Sequence, residues 1–122
     1  MKTQFICYKK CSTCKKAEKL LRELKIDFDS REIMDDNPTS EELHSWIEVS
    51  GLPLKSFFNT SGIMYRELNL KDKLPTLTDD EAIDLLATSG RLVKRPILIH
   101  ANTILVGFRE SDYLELFAKW LH

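Results

Sequence analysis

Apolar and polar positions change period along the chain, and the changes mark its elements. Gln4 to Tyr8 (Gln-Phe-Ile-Cys-Tyr) reads as a short buried strand. Ser12 to Leu24 reads as a helix: Ala17, Leu20, Leu21 and Leu24 recur at helical spacing, while Lys15, Lys16, Lys19, Arg22 and Glu23 take the wet face. Phe28 to Ile33 is a second strand, which completes a βαβ unit whose crossover should be right-handed and whose strands should be parallel.

The middle of the chain reads as helical. After Asn37-Pro38, Thr39 and Glu42 have capping-box spacing ahead of Leu43, Trp46 and Ile47, and Gly51-Leu-Pro53 ends that helix. Pro53 to Phe58 and Ser61 to Leu68 are short helical pieces. Thr78 and Glu81 repeat the capping box before Ile83, Leu85 and Leu86, with Gly90 as the expected C-terminal cap. Strands return at Pro96 to His100 and Thr103 to Gly107, joined by Ala101-Asn102 in a tight hairpin. Ser111 is placed to cap a last helix carrying Tyr113, Leu114, Leu116, Phe117, Trp120 and Leu121. Trp46 and Trp120 read as core residues.

The order βα, β, helical insert, ββα predicts an α/β fold of thioredoxin type. Its mixed four-stranded sheet is covered by helices and interrupted by an all-helical insert of residues 37–90. At 122 residues, 43% hydrophobic and 30% charged, the chain suits a single domain, 1–122. No apolar run reaches the roughly 18 residues of a membrane span. The start lacks a long apolar signal core, so a cytoplasmic location is expected. With 18 basic and 19 acidic residues the formal charge is −1, which offers nucleic acid no general attraction; an anion site must be local.

Chemistry enters with the cysteines. Three is too few for a disulfide-rich secreted framework, and in a reducing compartment a close pair is catalytic, redox-sensing or metal-binding. Cys11-Ser12-Thr13-Cys14 sits where the first strand hands over to the first helix. Free amide N–H groups and the helix dipole there stabilise a thiolate, and Lys9, Lys10, Lys15 and Lys16 add positive charge. Cys11, ahead of the helix, is the expected nucleophile; Cys14, one turn on, is the expected resolving thiol. Zinc would want four ligands, and Cys7, His44, His100 and His122 supply no second close pair, so no metal site is expected. Cys7 reads as a small buried hydrophobe. Ser12 and Thr13 cap the helix or lend backbone N–H groups. Pro96 opens the third strand, beside the cysteines in such a sheet; the sequence leaves the Arg95–Pro96 bond open between cis and trans.

Four segments together resemble the arsenate reductase/Spx family: Cys11-Ser-Thr-Cys14-Lys-Lys-Ala17, Asn59-Thr-Ser-Gly-Ile-Met-Tyr65-Arg-Glu-Leu68, Leu92-Val-Lys-Arg95-Pro96-Ile97 and Val106-Gly-Phe-Arg109. The resemblance implies a cytoplasmic thioredoxin-like protein with Cys11 in the position of the arsenate-attacking cysteine. Arsenate reductases of this family surround that cysteine with three arginines. Arg95 and Arg109 match two of them, and Asn59 stands at the third, offering a neutral amide in place of a charged fork. That departure argues against arsenate. A Cys-x-x-Cys pair is characteristic of Spx-type regulators, in which a disulfide switches binding to the RNA polymerase α subunit.

Two functions follow as expectations. The first is a thiol–disulfide oxidoreductase without a bound cofactor, with glutathione as candidate co-substrate and glutathione, glutaredoxin or thioredoxin as electron donor. Lys94, Arg95 and Arg109 would supply charge for the thiolate or an anion, whereas Arg66 and Arg91 have weaker claims. The second is a redox-sensing regulator that binds the polymerase α subunit without contacting nucleic acid or membrane.

Overall fold

The computed structural model describes residues 3–118, and the expectations for Trp120 and Leu121 lie outside them. Four strands, β1 (Thr3–Cys7), β2 (Phe28–Glu32), β3 (Ile97–His100) and β4 (Thr103–Val106), form one mixed sheet in the order β2-β1-β3-β4. β1 pairs antiparallel with β3, Phe5 opposite Leu98 and Ile6 opposite Ile97, and β3 pairs antiparallel with β4. This is the α/β, thioredoxin-like arrangement that the element order predicts.

The chain divides into two compact units, one made of the residues before Glu32 and after Lys94, the other of Glu32–Lys94. The first holds the sheet, α1 (Ser12–Glu23) and α6 (Glu110–Ala118). Side chains alternate across a strand, so Phe5 and Cys7 leave β1 on one face and pack there with Leu98. α1 lays Cys14, Ala17, Leu20 and Leu21 on that face, and α6 adds Tyr113 and Phe117, closing one core. Tyr113 meets Phe108 edge-on at 4.9 Å between ring centroids. α6 begins at Glu110, so Ser111 lies inside its first turn and is not the cap. The Asp112 and Tyr113 amides donate to the Arg109 carbonyl, which fixes the start of α6 earlier than Ser111. Leu114, one of the apolar residues expected on this helix, is exposed.

The second unit holds α2 (Ser40–Ser50), a 3-10 turn (Leu54–Phe57), α3 (Ile63–Glu67), α4 (Leu70–Lys73), a further 3-10 turn (Leu74–Thr76) and α5 (Asp79–Leu86). Both capping boxes form, Thr39 with Glu42 and Thr78 with Glu81. Ser40 Oγ donates to Asp84 at 2.8 Å, and His44 lies 3.1 Å from Asp80, so α2 and α5 are also tied by side chains. Gly51 takes φ 69 at the end of α2, a left-handed geometry that favours glycine. Gly90 does something other than cap. α5 closes on Ala87, and a Cβ on Gly90 would come within 2.9 Å of the Ile33 carbonyl oxygen, so the residue permits close approach of two backbones.

Candidate functional site

β1 ends at Cys7, and a tight turn closed by the Cys11 N–H on the Tyr8 carbonyl (2.9 Å) delivers Cys11 to the head of α1. Cys11 is itself the N-cap, extended at φ −92 and ψ 121, and its carbonyl accepts from Lys15 N–H at 3.1 Å. Cys11 thus holds the cap position, and Ser12 and Thr13, expected to cap the helix or lend backbone N–H groups, are exposed in its first turn. That turn carries no acidic residue, whereas α2 begins with Glu41 and Glu42 and α5 with Asp79, Asp80 and Glu81. The positive end of α1 is thus left to act on the sulfur.

Both cysteines are free thiols, Cys11 partly exposed and Cys14 buried. Their environments push them apart. Burial works against ionisation of Cys11. It is outweighed by the Cys14 backbone N–H, the Cys14 thiol, the Thr13 N–H and the Arg95 guanidinium, which together hold Cys11 below the ordinary thiol value. Cys14 is pushed up to about 12. Burial is the main cause, the Tyr8 amide opposes it, and the thiol and charge of Cys11 and the charge of Cys7 add to it. Tyr8 N–H donates to Cys14 Sγ at 3.4 Å. One sulfur is thereby readied as thiolate while its neighbour keeps its proton.

Positive charge reaches Cys11 from the Arg95 guanidinium, while Lys9, Lys10, Lys15 and Lys16, expected to contribute, are exposed. The Arg95 Cζ lies over the Tyr8 ring, 5.2 Å from its centroid. The Arg95–Pro96 peptide is cis, and the Pro96 carbonyl accepts from Gly107 N–H at 2.8 Å, Gly107 having φ 77. Nothing in the sequence pattern singles out Tyr8. The available signal is an aromatic residue at the end of a strand, immediately before a basic turn and the cysteine pair.

Arg109 is exposed, and its backbone carbonyl serves the first turn of α6. Lys94 and Asn59 belong to the helical unit. The Lys94 N–H donates to the Phe57 carbonyl at 2.9 Å; the Asn59 side-chain amide donates to the Arg91 carbonyl at 3.4 Å, and its backbone N–H to Leu92 at 2.7 Å. Asn59 is therefore engaged in holding its own loop. Cys7 is buried as expected, 3.6 Å from Ser30 Oγ. Among the described residues no group of three or more His, Cys, Asp or Glu side chains is placed to hold a metal ion, and no helix is long and apolar enough to cross a membrane. A cleft of about 230 Å³ in the helical unit, lined by Leu54, Phe58, Leu74, Pro75, Leu77 and Ala82, contains none of the predicted site residues.

Comparison with known proteins covers almost the whole chain. The model of the ArsC family matches residues 7–116. The uncharacterised protein YusI of Bacillus subtilis is 46% identical over 97% of this chain and 100% of its own. The global transcriptional regulator Spx of Enterococcus faecalis is 28% identical over 84% of this chain and 76% of its own. Among solved structures, an ArsC family related protein from Bacteroides fragilis shares 55% identity with a TM-score of 0.91, covering 95% of this chain and 98% of that one. A possible arsenate reductase from Streptococcus mutans shares 46% with a TM-score of 0.83, covering 91% and 96%.

Proposed function

Because the chain belongs to the ArsC family, we propose that it is a thiol–disulfide oxidoreductase in which Cys11 attacks and Cys14 resolves. The observation that carries this reading is a partly exposed Cys11 at the head of α1 with the buried Cys14 thiol three residues on, a placement that favours ionisation of the first and opposes that of the second. In the proposed cycle the Cys11 thiolate attacks one sulfur of a disulfide substrate. A Cys11 mixed disulfide forms, and the first substrate thiolate leaves and takes a proton from solvent. Cys11 no longer carries charge at that point, which removes one of the causes holding the Cys14 proton. Cys14 then gives up that proton and attacks Cys11 Sγ, forming the Cys11–Cys14 disulfide and releasing the second substrate thiol. The substrate disulfide is reduced by two electrons and the cysteine pair is oxidised by two.

A dithiol donor such as thioredoxin or glutaredoxin, or two glutathiones, restores the pair by the reverse exchange, in a reducing cytoplasm. Arg95 is the cation we assign to the thiolate. Arg109, the first-turn residues Ser12 and Thr13, and Pro96 complete the site in this reading by receiving a glutathione carboxylate or peptide backbone. Asn59 offers a neutral amide where an arginine would offer a charged fork, so a disulfide is favoured over arsenate as substrate.

Cys11→Ser should abolish turnover in arsenate, glutathione-disulfide and thioredoxin-coupled assays, and Cys14→Ser should accumulate the Cys11 mixed disulfide. Full activity of Cys11→Ser in every assay would end this assignment.

The similarity to Spx favours a second reading, a regulator whose Cys11–Cys14 disulfide alters binding to the RNA polymerase α subunit. Retention of that subunit by only one redox form supports it, and equal or absent retention by both removes it.

A further inference from the structure

We propose that Tyr8 is a positioning residue for the Cys11 nucleophile, its ring fixing the Arg95 guanidinium at the strand–helix junction while its main chain ties down both cysteines. The proposal deepens the oxidoreductase reading and rests on Cys11 being the attacking sulfur. Three contacts converge on this one residue. Its carbonyl accepts the Cys11 N–H at 2.9 Å, its N–H donates to Cys14 Sγ at 3.4 Å, and its ring lies 5.2 Å below the Arg95 Cζ. The two main-chain contacts survive most substitutions. The ring contact does not, and it is the one through which the side chain reaches the chemistry.

An arginine on a partly exposed surface has several rotatable bonds, and its field at a given atom is averaged over every position it visits. A planar guanidinium held over an aromatic face loses much of that freedom, and the ring's negative face adds an electrostatic attraction. Tyr8 and Arg95 are both partly buried, so the stack is only partly screened by water. Arg95 favours the charged form of Cys11. A residue that keeps Arg95 in place therefore acts on the thiolate without touching it.

Phenylalanine preserves the ring face; leucine preserves bulk and the main-chain bonds but removes the ring. The test is the pH dependence of Cys11 alkylation, followed by mass mapping, in wild type, Tyr8→Phe, Tyr8→Leu, Arg95→Gln and the Tyr8→Leu/Arg95→Gln double variant. Tyr8→Leu should raise the Cys11 pKa by about half a unit, the range of a partly exposed cation–π contact, and slow alkylation at neutral pH about twofold once the gain in thiolate nucleophilicity is counted. Tyr8→Phe should titrate like wild type. The double variant should titrate like Arg95→Gln alone, because the ring acts only through the guanidinium.

An unchanged Cys11 titration in Tyr8→Leu overturns the proposal while leaving the oxidoreductase reading intact, as do additive shifts in the double variant or a Tyr8→Phe shift equal to that of Tyr8→Leu. A wild-type Cys11 that titrates as an ordinary thiol and forms no disulfide with Cys14 overturns both.

Discussion

Removing the Cys11 sulfur should expose how strongly the fold silences Cys14. With Cys14 at about 12, its thiolate fraction at pH 7 is about a thousandfold below that of a thiol at the ordinary value of 9.0. Thiolate nucleophilicity rises with pKa at a slope of about 0.4–0.5, which over three units returns a factor of roughly 15 to 30. At least roughly thirtyfold suppression of Cys14 alkylation is left from ionisation alone. Cys11, held below the ordinary value, reacts faster than the reference thiol, and the 2% exposure of Cys14 hinders reagent further. In Cys11→Ser the neighbouring charge and thiol are gone while burial, the largest cause, remains. Cys14 should therefore speed up yet stay well below an ordinary cysteine. Iodoacetamide labelling across pH, with each peptide mapped by mass, reads both thiols in one experiment. If Cys14 labels within a fewfold of Cys11 in the wild type, or as an ordinary thiol in Cys11→Ser, the account of the pair is wrong.

Three further outcomes follow from the same structure. Because Cys14 has a folded pKa above its unfolded value, its contribution to stability is complete below pH 9 and is lost as pH rises toward 12. The loss is at most about 4 kcal/mol, and chemical denaturation of wild type against Cys14→Ala over that window should show the steeper decline in wild type. Thr39→Ala and Thr78→Ala each break a capping box and should cost about 0.5–2 kcal/mol in urea unfolding, nearly additively if the two caps are independent. Gly90→Ala should destabilise by about 1–3 kcal/mol because its Cβ would press on the Ile33 carbonyl, a backbone atom with little room to yield; an unchanged unfolding midpoint would show that the two segments can separate freely.

The elements most legible in the sequence are those whose causes are local. α1 follows from apolar residues at helical spacing, and α2 and α5 from a threonine three residues ahead of a glutamate, since a cap is satisfied within one turn. The sequence pattern predicts no element between Leu68 and Thr78. There α4 starts from Asn69 in a left-handed conformation (φ 51), and Pro75 lies within a 3-10 turn, an irregular path with no clear period. Serine suits several helix-start positions, so the sequence alone places the cap at Ser111, whereas the Arg109 carbonyl starts α6 two residues earlier. Gly90 is ambiguous in sequence for a similar reason: glycine suits both a helix end and a close approach, and only the nearby Ile33 carbonyl distinguishes them.

By itself the sequence determined the strand–helix junction, the two cysteines on it and the order of the elements, because periodicity, caps and dipoles act over a few residues. Which charge reaches Cys11 was a matter for the tertiary structure. Four lysines adjacent in sequence turn outward, and an arginine from the start of the third strand lies over an aromatic ring beside the site. Coulombic influence depends on distance in space, and separation along the chain does not report it. The burial that keeps the Cys14 proton in place was likewise a product of packing, because it requires α1, α6 and the sheet to close on one core.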